Sequence, residues 1–497
     1  MSIFNNNILA GAASQSTTTP VHTIDQSIRF NSADDGNMYR VVGSGGNTKT
    51  WTFSGWFKLG LLGSQRGASP FLWSGYQDDS NRLQLMLDNA VGTGAAGDFL
   101  CLYSSTSGSI FQTTRVFRDP SAWYHIVVVS DTSNAVSSER IRLYINGIRE
   151  TSFSTINYPS LNADLAWNKD GSTWYLGKYY SGSGSGTYNY DGYMAELVNL
   201  DGTATDCNSF GEFNSNGIWV PKDVSGLSFG TKGWYIDGRD SSDLGDDESG
   251  NGNDFTTSGL ASHDQMADSP TNNFAVINAV YADNASAGNA GTLSNGNLQY
   301  VGGGSTFSVK GFTFDLPKSG KWYFEYMIGG NNDGFGFVKQ GEQGTINASN
   351  GPGQLSVAQG GGIQYTGWRN GGNNTTTFAD SNTGSPFTAG FIHQVAIDVD
   401  NGKFYYGVKN TYYAADGGDD GDPSGGTNHM STFAFSTTDV VLLAGNYSGT
   451  QYWNFGQDGT FSGQQTAQGN SDANGVGNFY YAPPTNYLAL CTKNLGS

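Results

Sequence analysis

Two carboxylates stand two positions apart in the stretch VAIDVDNGKFYYGVKN, residues 395–410: Asp398 and Asp400, just ahead of Asn401-Gly402. Along an extended strand, residues i and i+2 leave the sheet on the same face, with Cα atoms about 7 Å apart. That spacing falls within the carboxyl separations with which glycosidases cut sugars. The alternative is a solvated hairpin face, with Asp400 opposite Lys403 in an exposed ion pair contributing about 0.5 kcal/mol. Acid catalysis needs a concave site and one carboxyl held above its ordinary pKa, and a lysine opposite works the other way. The solvated face is the expected reading.

Other catalytic constellations are weak. There is no His-Glu-x-x-His and no phosphate-cradling Gly-x-x-x-x-Gly-Lys-Ser/Thr. His125 lies inside the apolar run WYHIVVVSD (123–131), where a satisfied structural imidazole is expected in place of a general base. The chain is expected not to be an enzyme. Metal binding is more open: DGGDDGDPSGG (416–426) gathers Asp416, Asp419, Asp420 and Asp422, a hard oxygen set of the kind Ca²⁺ prefers. The loop lacks the Asp-x-Asp-x-Asp-Gly spacing of an EF-hand.

The elements that must position these residues are strands. Of 497 residues, 72 are Gly and 13% are charged, while 29 Phe, 27 Tyr and 11 Trp supply core material. Many short strands with many turns follow from that composition, and Ala/Leu/Glu/Lys-rich helical stretches are nearly absent. The length predicts two to four domains. A net charge of −19 without a basic patch argues against nucleic acid as a partner. No apolar run approaches the roughly 20 residues of a membrane span. The N-terminal stretch carries no positive charge, so general secretory export is not expected and synthesis in a cytoplasm is.

Asn-Gly marks a hairpin whose type I′ turn needs positive φ at both residues. Folding at Asn401-Gly402 pairs Val399 with Phe404, Ile397 with Tyr406 and Val395 with Val408. The same device recurs in RIRLYINGIRE (140–150) at Asn146-Gly147, flanked by TWTFSGWFKL (50–59), WYHIVVVSD, WYLGKYY (174–180) and YDGYMAELVNLDGTA (190–204). A second set begins near residue 293: SGKWYFEYMI (319–328), DGFGFV (333–338), GIQYTGW (362–368), VVLLAGNY (440–447) and YWNFG (452–456). Between them, 222–292 reads as an acidic, Gly-rich connector with some strand content.

The first set, through FSGWFKL, WYHIVVVSD, LYINGIRE and YDGYMAELVNLDG, resembles laminin-G, concanavalin A-like domains. The second, through GKWYFEYMI, DGFGFV, VAIDVDNGKFYYGVKN and YWNFG, resembles SPRY domains. Their order, with MSIFNNNILAGA in front, resembles structural proteins of tailed bacteriophages, often tail fibres. The fold expected is therefore all-β: two tandem antiparallel β-sandwiches, a concanavalin A-like jelly roll over 26–221 and a SPRY-like sandwich over 293–497. The resemblance implies that residues 1–25 are a short N-terminal anchoring segment docking on other virion proteins through Ile3, Phe4, Ile8 and Leu9, the alternative being a disordered tail.

The resemblance implies a virion protein that exposes binding loops to host-surface glycan or protein, as a homo-oligomer with a trimer favoured. Alternatives are a capsid-decorating or tail subunit and, further off, a polysaccharide depolymerase; no Glu-x-Asp-x-Glu, the carboxylate motif of concanavalin A-like glycosidases, occurs. Aromatic rings pack on the apolar faces of sugars and amides read their hydroxyls. The candidate binding residues are Tyr179, Tyr180, Tyr188 and Tyr190 in KYYSGSGSGTYNYDGY, and Trp368 and Arg369 in QYTGWRNGGNNTTTF.

Overall fold

The computed structural model describes residues 22–62, 70–88, 97–180, 189–281, 291–304, 308–329, 333–341, 360–364, 367–370, 373–377, 388–446 and 448–495, the strands at 360–377 by backbone alone. The chain divides into two compact units, Met1–Asn273 and Phe274–Ser497.

In the first unit the strands run β1 (Ser27–Phe30), β2 (Asn37–Val41), β3 (Thr50–Leu59), β4 (Phe71–Asp78), β5 (Asn81–Asp88), β6 (Phe99–Ser104), β7 (Gly108–Val116), β8 (Trp123–Asp131) and β9 (Ile141–Ile145). They continue as β10 (Ile148–Arg149), β11 (Phe153–Ile156), β12 (Thr173–Leu176), β13 (Gly192–Asp201), β14 (Gly211–Phe213), β15 (Trp219–Pro221), β16 (Trp234–Ile236), β17 (Thr256–Ser258) and β18 (Gln265–Met266). Among the described residues they form two large antiparallel sheets and a small hairpin. One sheet has the order β10-β9-β8-β3-β13-β1-β18, with β16 also paired to β13; the other has the order β11-β7-β6-β5-β4-β12-β2-β17; β14 pairs with β15.

Alternation explains the layering. Trp51, Phe53 and Phe57 from β3, Trp73 from β4, Trp174 and Leu176 from β12, and Trp234 from β16 all face one shared core. Trp73 and Trp167 have ring centroids 4.1 Å apart, and Trp51 is 6.0 Å from Trp167. Burying each such ring contributes roughly 2–3 kcal/mol, before the entropy of ordering it.

The Asn146-Gly147 turn forms as expected. Both residues take positive φ, 48° and 78°, and Ile148 pairs with Ile145. The Asn401-Gly402 turn does not. Only Gly402 has positive φ, and the pairs are Asp398 with Lys403, Ile397 with Phe404 and Val395 with Tyr406. The register thus differs by two residues from the expected one, which leaves every side chain on its expected face. A four-residue turn closes with the Gly402 N–H donating to the Val399 carbonyl at 3.3 Å.

Residues 222–273, expected as part of a connector, belong to the first unit. They supply β16, β17 and β18 to its sheets and Trp234, Leu244 and Phe255 to its core. The acidic stretch is ordered because its carboxylates cap its own backbone. Asp247 accepts from the N–H groups of Tyr235, Ser249 and Asn253 at 2.8–2.9 Å. The unit is closed by a buried ion pair. Lys58 Nζ donates to Asp268 Oδ2 and to Asn273 Oδ1, each at 2.6 Å, and Asp268 Oδ1 accepts from Trp123 Nε1 at 3.1 Å. Both charged side chains are fully buried.

The second unit has a nine-stranded sheet and a six-stranded sheet among the described residues. At the centre of the larger one Lys321–Ile328 pairs with Ile392–Asp398, and Thr450–Asn454 flanks it. Both faces of Lys321–Ile328 are covered, not one. The carboxyl of Glu325, fully buried, accepts from the backbone N–H groups of Tyr480 and Tyr481 and from Tyr323 Oη, at 2.7–2.9 Å.

Removing one partner of a buried ion pair leaves the other charge uncompensated, at about 3–5 kcal/mol. Asp268→Ala is therefore expected to lower the stability of the first unit by that amount. Chemical unfolding followed by tryptophan fluorescence checks it, and a loss under 1 kcal/mol would show that the pair does not hold this segment.

Candidate functional site

The inward rings fix what the second sheet shows on its other side. Met38, Trp73 and Trp174 face the core, so their neighbours Tyr39, Ser74 and Tyr175 must point away from it. Cross-strand pairing then sets them in a row: Tyr39 opposite Tyr175, Tyr175 opposite Ser74, Ser74 opposite Gln84, and Gln84 opposite Tyr103. A second outward row, two residues along, runs Val41, Thr173, Tyr76 and Arg82.

Strand β12 stops at Gly177, whose φ is 79° and whose Cβ, if present, would lie 2.5 Å from Phe30. There the chain leaves the sheet and turns over this outer face. Ser74 Oγ donates to the Lys178 carbonyl at 3.0 Å, and Lys178 Nζ reaches Asp35 Oδ2 at 2.5 Å. Tyr180 consequently stacks on Tyr175, with centroids 4.8 Å apart and planes 17° apart, and meets Tyr76 edge-on at 5.2 Å. Tyr39 also stacks on Tyr175, at 5.9 Å. Tyr179 packs on Phe71 at 4.9 Å, and its hydroxyl accepts from Arg82 Nη1 at 3.2 Å.

Four tyrosines thus form a contiguous set standing on the sheet. The hydroxyls of Tyr39, Tyr76, Tyr175 and Tyr180 make no hydrogen bond to any described residue. Burial, then the neighbouring Tyr180 and Tyr39, push the Tyr175 phenol up to about 12, so it remains a donor at neutral pH. Beside them, Gln84 Nε2 and Arg82 Nε are shielded from solvent yet have no partner among the described residues. The arrangement offers part-exposed aromatic rings, Tyr39 the most open of them, and a set of unspent donors and acceptors. It suits a polyhydroxylated ligand.

Of the residues singled out in the sequence, Tyr179 and Tyr180 lie on this face. Tyr190 does not: it is fully buried, its hydroxyl donates to the Lys58 carbonyl at 2.9 Å, and its ring packs edge-on against Phe30 and Phe57. It is a core residue and cannot meet a ligand. Tyr188, Ile3, Phe4, Ile8 and Leu9 lie outside the described residues. Trp368 and Arg369 belong to the strand Gly367–Asn370 of the second unit, of whose side chains nothing is described. Tyr39, Tyr76 and Tyr175 were missed because they sit on separate strands; the signal was the alternation Trp174-Tyr175 and Met38-Tyr39.

The paired carboxylates are structural. Asp398, expected on a solvated face, is 1% exposed. It accepts from the Asn401 N–H at 3.0 Å and from Lys321 Nζ at 3.2 Å, contacts that outweigh its burial and hold it below the usual carboxylate range. Asp400 accepts from the Gly320 N–H at 3.1 Å. In the expected calcium loop three of the four side chains turn to their own chain: Asp416 to Gly418 N, Asp420 to Asn428 Nδ2, and Asp422 to Gly425 N, at 2.8–2.9 Å. Asp419 is exposed. No group of three acidic, histidine or cysteine ligands gathers among the described residues. Gly226-Leu227-Ser228-Phe229-Gly230 has the spacing of a nucleophile elbow but stands in a loop, not at a strand-to-helix turn.

His125 is spent on structure. Its Nε2 meets Ser54 Oγ at 2.8 Å and its Nδ1 accepts from Trp219 Nε1 at 3.0 Å.

A family model described as the concanavalin A-like lectin/glucanases superfamily matches residues 31–206. No curated protein matches the chain in sequence. Among solved structures, the chain is similar to a putative carbohydrate binding protein from Bacteroides ovatus at 16% identity, covering 48% of this chain and 58% of that one, with a TM-score of 0.33. It is similar to the CBM40 of Ruminococcus gnavus IT-sialidase, bound to α2,3-sialyllactose, at 13% identity over 35% of this chain and 90% of that one, TM-score 0.24. It is also similar to the SPRY domain of human HERC1, at 11% identity over 31% and 87%, TM-score 0.22. The described sheets make the protein all-β, and the family match places a concanavalin A-like domain in its first unit.

Burial holds His125 neutral, with its pKa lowered to about 3. Unfolded, it binds a proton near pH 6.5, so below that pH the unfolded state takes up more protons and stability falls on acidification, by about 1.4 kcal/mol per pH unit. Unfolding measured from pH 7 to 4 is expected to show a slope shallower by about that amount in His125→Gln. Equal slopes would mean that His125 is protonated in the folded protein.

Proposed function

We propose that this protein is a non-enzymatic binding protein that takes glycan chains across the tyrosine face of its first unit. The observation that carries the reading is the contiguous set Tyr39, Tyr175, Tyr180 and Tyr76, whose four hydroxyls have no partner among the described residues. Sugars match such a surface: their C–H faces lie against rings and their hydroxyls exchange hydrogen bonds with phenols, amides and guanidinium groups. The matched family covers both lectins and glucanases, so the family alone leaves holding and cutting open. The site's own chemistry favours holding, because neither outward row carries a carboxylate.

The resemblance to structural proteins of tailed bacteriophages gives this activity a setting. In that setting the chain is a virion protein, a tail fibre or similar appendage, held by residues 1–25 and presenting its sandwiches to host-surface glycan. Repetition of a weak site in a homo-oligomer, a trimer being favoured, would convert modest affinity into stable attachment.

Binding to arrayed bacterial surface glycans, then titration with the best one, tests the reading. Tyr175→Ala and Tyr39→Ala are each expected to weaken binding about tenfold, or 1.4 kcal/mol, while the fold stays intact. Full affinity in both variants would overturn the assignment.

A further inference from the structure

A second feature lies on the other sheet. Along β13, Ala195 pairs with Trp56 and Val198 with Ser54, so Glu196 and Leu197 together oppose the single residue Gly55. This is a β-bulge, and Leu197 Cδ2 packs over Gly55, 2.7 Å from where a Cβ would stand. Glu196 takes φ 47°, the left-handed region, at about 1–2 kcal/mol for a residue with a Cβ. Strain of this kind persists only where the surroundings enforce it, and it concentrates at binding sites.

The bulge aims a carboxyl into a cavity. Glu196 is 4% exposed. Its Oε1 pairs with His22 Nε2 at 2.5 Å and accepts from Tyr235 Oη at 3.2 Å. Oε2 has no partner among the described residues, and the side chain borders a cavity of about 270 Å³ shared with Asp25, Asp237 and Arg239. The Arg239 guanidinium is already engaged, by Asp237 at 2.5 Å and Glu248 at 3.2 Å. The hydrogen bond to Glu196 holds His22 above its ordinary value, so its proton is directed at Oε1. The lining sets three carboxylates, Glu196, Asp25 and Asp237, against the Arg239 guanidinium and the His22 imidazole, and the acceptors left to a ligand are Glu196 Oε2 and the exposed carboxyl of Asp25. No three metal-ligating side chains converge among the described residues, which disfavours a divalent ion. An ammonium group, with three donors and one positive charge, answers the lining.

We propose that the Glu196 cavity is a second binding site, specific for a primary ammonium group on a small ligand. It is separate from the tyrosine face, so either assignment can fail without the other.

The chain has five histidines, and ¹⁵N-histidine labelling makes the His22 ring a local reporter. At pH 7, methylammonium chloride and glucosamine are both expected to shift the His22 signals saturably, and N-acetylglucosamine, which has no ammonium, is not. A tighter response to glucosamine would assign the source as an amino sugar; equal responses would assign the ammonium alone. Glu196→Gln is expected to weaken the response at least tenfold. Glu196→Gly should also lose it while tolerating φ 47° without strain, so that loss of binding is not loss of fold. No saturable shift with either amine, an equal shift with N-acetylglucosamine, or undiminished binding by Glu196→Gly would overturn the proposal.

Discussion

The first unit depends on one constraint: a sheet buries every second residue, and here the buried positions are large rings. Trp51, Trp73, Trp167, Trp174 and Trp234 lie together between the two sheets, all fully buried. Rings of that size leave little freedom of register, because a slip of one residue would carry an indole into solvent and a tyrosine into the core. The tyrosines outside are therefore placed by the tryptophans inside. Strands β2, β4 and β12 each pair an inward apolar residue with an outward one, and the cross-strand ladder brings the outward ones together.

Charge is scarce in the chain, and part of it is used to hold loops. Asp247, Asp398, Asp458 and Asp472 each accept backbone N–H groups of nearby turns. Acidic, glycine-rich sequence here encodes ordered turns, and the same physics accounts for the loop at 416–426.

Strands were the legible part of the sequence. Thr50–Leu59 and Trp123–Asp131 have the bounds that periodicity and turn residues imply, and Asn146-Gly147 turns as its type requires. Asn401-Gly402 shows the limit: the following strand pairs two residues earlier, since Asp398 bonds Asn401 and Lys321 and so fixes a longer turn. The connector was misjudged because composition reports polarity and not pairing; its core residues Trp234, Ile236, Leu244 and Phe255 are scattered among polar ones. The site was half legible. Tyr179 and Tyr180 stood out as neighbours in a Ser-Gly stretch, and Tyr190 shared that stretch but closes the core. Tyr39, Tyr76 and Tyr175 come from three strands, and only the sheet order unites them. Glu196 gave no local signal, for a bulge and a positive φ at a glutamate follow from the whole sheet.

The central claim is that sugar is held on the tyrosine face of the first unit. Tyrosine ring ¹³C signals, assigned by single substitutions and followed while a bound bacterial glycan is added, test it most directly. The account predicts that Tyr39, Tyr76, Tyr175 and Tyr180 respond together with one affinity while buried Tyr190 and Tyr193 stay unmoved. A glycan that binds while those four signals stand still would contradict it.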